Sequence, residues 1–206
     1  MNPHFWWYVS RASGMVAAVL LVLTIVWGLL ASTKVLRRPG LPAWIADLHR
    51  GLGALTVVFV AIHLAALVGD NTVHFAWTEL FVPFASAWRR GPVAWGIGAF
   101  WGLVIVQGSS LLQRRIGRQT WRRLHYVSYP VALLTAIHAS TAGSDASSPV
   151  FRLVSVASIA AITALTLVRV VRATLVPQRS RVARPPARAA ARPTVGTGAG
   201  RSNRGY

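Results

Sequence analysis

Apolar residues run through this chain in long unbroken blocks rather than in stripes. Residues 12–31, "ASGMVAAVLLVLTIVWGLLA", are apolar on every face and reach the roughly 18–20 residues needed to cross a bilayer. Similar blocks follow at residues 43–68, 93–112, 121–139 and 150–171. Pro92 and Pro149 stand just ahead of two of them, a position that a helix start tolerates, and Pro130 lies inside the fourth. A soluble core would show amphipathic stripes instead. The pattern predicts an all-α fold, a polytopic transmembrane helical bundle of about five spans.

The segment between the second and third blocks, residues 69–91, reads differently. In "VHFAWTELFVPFASAW" the aromatics Trp77, Phe81, Phe84 and Trp88 recur at helical spacing, but Pro83 interrupts them and the stretch is too short to cross. It predicts a helix lying in the outer interface. The first eleven residues lack the charged region and cleavage site of a signal peptide, and Phe5-Trp6-Trp7-Tyr8 fits an interfacial aromatic belt. The first span is therefore expected to be retained.

Charge sets the expected direction. The net charge of +18 would suggest nucleic-acid binding if it lay on one folded face, but it lies in loops and in the tail. Lys34, Arg37, Arg38 and Arg50 follow span one, and Arg114, Arg115, Arg118, Arg122 and Arg123 follow span three. Nine more arginines come from Arg169 onward, which places 18 of the 22 basic residues on one side. The opposite side has Arg11, Arg89, Arg90 and Arg152. The positive-inside bias then predicts the N-terminus out and the C-terminus in, with a bacterial plasma membrane as the expected setting. The chain divides into an outer N-terminal segment (1–11), a transmembrane bundle (12–172) and a basic cytoplasmic tail (173–206). The tail's Arg, Ala, Pro and Gly content predicts disorder near anionic lipid, and nucleic acid is not an expected partner.

Composition narrows the chemistry. With no cysteine there are no disulfides, no thiolate-held iron–sulfur cluster and no C-x-x-C-H haem attachment. Methionine occurs only at positions 1 and 15, so ligation must rest on histidine, carboxylate or backbone. Of six histidines, His4 and His74 fall in outer segments and read as surface residues. The other four fall two per span: His49 and His63 in span two, His125 and His138 in span four.

Both of these spans run from inside to outside, so the histidines form two layers, one from each helix in each layer. At 1.5 Å per residue the layers are about 20 Å apart. On span two the fourteen-residue step returns to within about 40° of the same azimuth, whereas the thirteen-residue step on span four leaves its rings roughly 140° apart. Altered winding near Pro130 would bring them closer.

Two imidazoles facing across a bundle can take both axial positions of a haem iron. Gly53, one turn after His49, leaves room for a porphyrin, and Arg50, Arg122 and Arg123 are placed to pair with its propionates. A proton pathway would call for Asp or Glu chains, and only Asp47 lies near a span. Two ligands per layer are too few for zinc.

"LHRGLGALTVVFVAIHL" and "WRRLHYVSYPVALLTAIHA" together resemble the ferric-reductase-like transmembrane domain, the family of NADPH oxidases, ferric reductases and the haem-bearing subunit of a methionine-sulfoxide reductase system. The resemblance covers about residues 43–141. It implies two stacked b-type haems, with His49 and His125 on the inner iron and His63 and His138 on the outer one. It also implies electron flow from a cytosolic flavin to an outer acceptor. Family members with a flavin carry an FAD- and NADPH-binding region after the last span. The sequence has no G-x-G-x-x-G, so flavin or NAD(P)H is expected only through a separate flavoprotein, with quinol as the other donor considered. The expected function is the electron-transfer membrane component of an oxidoreductase. A quinol-linked cytochrome b subunit and a haem-free membrane scaffold or transport accessory stand as alternatives.

Overall fold

A computed structural model describes residues 4–33, 41–70, 73, 75–143 and 145–175. Its elements are helices: α1 (Phe5–Thr33), α2 (Leu41–Gly69), α3 (Trp77–Phe81), α4 (Arg90–Leu111), α5 (Gln113–Ile116), α6 (Arg118–His125), α7 (Ser128–Ala142) and α8 (Pro149–Leu175). Among the described residues, α1, α2, α4 and α8 are long and apolar enough to cross a membrane. The all-α polytopic bundle expected from the sequence is what the chain forms.

Three expectations are modified. The fourth expected span is not one helix but α6 and α7, separated at Tyr126 and Val127. The cause is Pro130, which has no N–H to give to the Tyr126 carbonyl. That carbonyl accepts the Tyr129 N–H instead (3.2 Å), and the Leu124 carbonyl accepts the Val127 N–H (3.0 Å), both i→i+3 bonds of a tightened turn. The interfacial helix is only Trp77–Phe81. Val82 is extended before Pro83 and Phe84 has φ 65°, so the helical spacing of the aromatics is not realised beyond Phe81. Lastly, α1 begins at Phe5, so much of the expected outer segment is helix, and α8 continues to Leu175. The rest of the expected basic tail, and Lys34, Arg37, Arg38 and His74, lie outside the described residues.

Packing follows side-chain size more than hydropathy, because lipid offers no hydrophobic drive between helices and close fit decides. The buried side of α1 carries Ser10, Ser13, Ala17, Leu21, Thr24, Ile25 and Leu29, whereas Val16, Val19 and Leu23 are exposed to the surround. That largely small-residue face lies along α2, and α8 packs on α1 as well. On the other side α4 packs along α7, where Gly102 admits Val131: a Cβ there would stand 2.5 Å from its Cγ2. Leu21, Ile25 and Leu29 of α1, Leu103 of α4 and Val131 of α7 form the shared core. The backbone of α2, which carries His49 and His63, hardly approaches α6, which ends in His125, or α7, which carries His138, so side chains bridge the slot between them.

Candidate functional site

The slot contains the four histidines. His49 and His125 face each other near the arginine-rich end of the bundle, with ring centroids 6.0 Å apart and planes at 65°. His63 and His138 face each other toward the other end, 6.5 Å apart at 77°.

Three of these rings are held in the same way. The Nδ1 of His63 lies 2.8 Å from the Ser10 carbonyl, that of His49 2.8 Å from the Thr24 carbonyl, and that of His138 2.9 Å from the Pro92 carbonyl. A carbonyl only accepts, so each Nδ1 carries the proton and each Nε2 keeps its lone pair. Four residues after each of those carbonyls stands a glycine over which the ring lies. A Cβ at Gly14 would be 3.0 Å from His63 Nδ1, at Gly28 3.0 Å from His49 Cε1, and at Gly96 2.7 Å from His138 Nδ1. Hydroxyl-bearing Ser10 and Thr24 precede Gly14 and Gly28 by one helical turn and a fraction. The two Gly positions are fourteen residues apart, the same step as His49 to His63. Because α1 and α2 are antiparallel neighbours, equal steps keep both rings in register.

His125 breaks the rule. Its Nδ1 is buried without a hydrogen-bond partner. Thirteen and fourteen residues along α4 from Gly96 stand Ser109 and Ser110 rather than a glycine. Both hydroxyls are turned onto the Val106 carbonyl, at 3.0 and 2.7 Å, the oxygen four residues before Ser110. The His125 ring instead lies against Trp121, centroids 5.1 Å apart.

The other expected site residues are distributed unevenly. The space beside Gly53 is taken by the Gln107 amide, whose Nε2 would be 2.7 Å from a Cβ. Arg50 is exposed and forms an i,i+3 ion pair with Asp47. Arg122 lies beside the Tyr126 hydroxyl, next in sequence to His125, and Arg123 is exposed on the same short helix. Sequence reasoning missed Gly14, Gly28 and Gly96 and the carbonyls they expose, although the matching fourteen-residue steps were there to be read. It also missed Trp121 and Gln107, for which no sequence signal stands out.

Chemically, each layer offers two neutral imidazole nitrogens and little else. No group of three or more His, Cys, Asp or Glu residues that could hold a metal ion occurs among the described residues. A metal held here must therefore bring most of its own ligands, as a metal in a macrocycle does.

A family model described as the ferric reductase-like transmembrane component matches residues 5–136. The match runs from the start of α1 into α7, includes His49, His63 and His125, and ends two residues before His138. Comparison with curated proteins and with solved structures finds no match.

Proposed function

The chain belongs to the ferric reductase-like transmembrane component family, and we propose that it works as a di-haem b-type cytochrome, taking electrons from a separate cytosolic flavoprotein and delivering them to an outer-side acceptor. Membership makes it a membrane electron-transfer component in general terms. The finer reading rests on one observation, the doubled histidine pair with its ring spacing.

A metal–imidazole bond is about 2.0–2.1 Å and the ring centre lies about 1.1 Å beyond the nitrogen, so two rings sharing one ion have centroids about 6.2–6.4 Å apart. The separations of 6.0 and 6.5 Å lie on either side of that value. The slot between α2 and α7 and the bare Nε2 atoms agree with a flat group carrying an ion at its centre. When bound, haem b would supply a one-electron iron couple, a chemistry of electron transfer rather than of substrate activation.

The chain's own residues do the rest. His49 with His125, and His63 with His138, would hold the two groups. The Ser10, Thr24 and Pro92 carbonyls fix the tautomer and orientation of three of the histidines and raise their basicity. Gly14, Gly28 and Gly96 keep the rings seated against neighbouring helices. Fourteen residues along α2 set the two layers about 20 Å apart along the axis. Arg122 and Arg123, close in sequence to His125, would pair with carboxylates of a group held there, and Arg50 is already engaged with Asp47. The arginine-rich end faces the cytosol, as positive-inside bias requires.

A dithionite-reduced minus oxidised spectrum with a pyridine haemochrome assay tests the proposal. Two b-type haems per chain are expected. A haem-supplied preparation with no b-type α-band would refute it.

A further inference from the structure

The thirteen-residue step between His125 and His138 requires extra winding, and the bundle supplies part of it at the α6–α7 break. A 3₁₀ turn advances about 20° more per residue than an α-helix, so the tightened turn at Tyr126 and Val127 recovers about 40° of the 140° deficit. Something must hold that turn, because the i→i+3 bonds there are poorer than the α-helical bonds they replace.

We propose that Arg169, on α8, is the positioning residue that holds the overwound turn and so aims His125 at His49. This rests on the reading of His125 as half of the inner haem site. Tyr126 and Tyr129 flank the break, three residues apart. In an α-helix such side chains diverge by about 60°, whereas in a 3₁₀ turn they eclipse. Here their rings are stacked, with centroids 6.5 Å apart and planes at 23°. The Arg169 guanidinium donates from one nitrogen to the Tyr129 hydroxyl and from the other to the Tyr126 hydroxyl, each at 3.3 Å, and lies 5.6 Å from the Tyr126 ring centre. A planar fork of this kind bonds two phenols best when their rings lie side by side, as they do here. It therefore selects the tight winding over the relaxed helix. Arg172, almost one turn further along α8, donates to the Thr33 carbonyl at the end of α1 and fixes α8 against the bundle. Arg169 lies beyond the residues the family model matches, so this device belongs to the part of the chain that the family description leaves out.

The test compares the full chain with Arg169→Leu, Arg169→Lys and Tyr126→Phe/Tyr129→Phe, the last keeping the arginine charge and the aromatic packing. The first readout is hydrogen exchange, which does not depend on haem. Arg169→Leu and the double phenylalanine variant should each speed exchange by about tenfold or more at residues 124–131 and leave α1, α2 and α4 unchanged. The second readout is haem content with the ferric low-spin EPR spectrum. Both variants should lose or perturb one of two haem signals, their combination should add nothing, and the lysine variant should fall between, because a point donor cannot bridge two phenols. Unchanged exchange in Arg169→Leu would overturn the proposal. So would a double phenylalanine variant that behaves as the parent while Arg169→Leu loses haem, since that pattern assigns Arg169 a role through charge alone. A parent protein without haem would sink the cytochrome reading, while the exchange data still decide whether Arg169 holds the turn.

Discussion

An imidazole inside an apolar helix must place its Nδ1 proton somewhere, and the helix beside it offers only carbonyls already used in its own ladder. Removing one Cβ solves the problem: the ring lies over a glycine and shares the carbonyl of the preceding turn, as His63 does at Gly14 and His49 at Gly28. Restoring that Cβ should therefore act on one layer at a time. Gly28→Ala should weaken haem at the His49–His125 site, and Gly14→Ala at the His63–His138 site, each by about 10–100-fold, the usual cost of disturbing what orients a metal-bound histidine. Haem titration of each purified variant checks this, and equal loss from both sites in either variant would contradict it. The histidines themselves were legible in the sequence because a polar ring is conspicuous among aliphatic residues. Their glycine seats were not, since Gly14 and Gly28 acquire meaning only once α1 is known to run antiparallel along α2. The orphaned His125 Nδ1 was illegible too, since which carbonyls a ring meets depends on the helices packed around it.

At the level of elements, hydropathy identified the long helices well, because length and apolarity are properties of the chain alone. Both prolines that break helices, Pro83 and Pro130, were visible in the sequence, but where each break falls was not. Pro83 ends the short α3, and the loop after it is pinned by Glu79, whose carboxylate accepts the Ala76 and Ala87 N–H groups at 2.9 Å each. Those backbone donors lower the Glu79 pKa below its ordinary value. A lowered folded-state pKa means the contribution is fully present above the ordinary carboxylate range near 4.3 and is lost as pH falls through the lower folded value. Exchange protection of the Ala76 and Ala87 amides should fall on acidification below about pH 4, and Glu79→Gln should remove that dependence. Pro130 makes the opposite kind of break, one that the site uses. Replacing it with alanine restores a donor for the Tyr126 carbonyl, so that α6 can run on into α7 with the hydrogen bond that the proline withholds. Pro130→Ala should therefore raise the unfolding temperature while it unwinds the turn and reduces haem at the inner site. A variant both more stable and fully loaded would show that the extra winding is dispensable.

Across the whole molecule, the slot between α2 and α7 and the distribution of arginines give the two histidine layers different surroundings. The His49–His125 pair stands next to Arg122 and Arg169, and the His63–His138 pair lies near an end where Arg11 is paired with Asp145 and Arg89 donates to the Thr141 carbonyl. That asymmetry carries functional meaning only if the arginine-rich end faces the cytosol, where a reductant would meet it. The absence of cysteine from the sequence makes the orientation directly measurable. Ser147 is exposed in the turn before α8, and Gln119 is exposed on α6 at the opposite end. A cysteine at position 147 should react with a membrane-impermeant maleimide applied outside intact cells. A cysteine at position 119 should react only after the membrane is opened. The reverse pattern would invert the bundle, put Arg122 and Arg169 beside the outer layer, and require the donor to approach His63 and His138 instead.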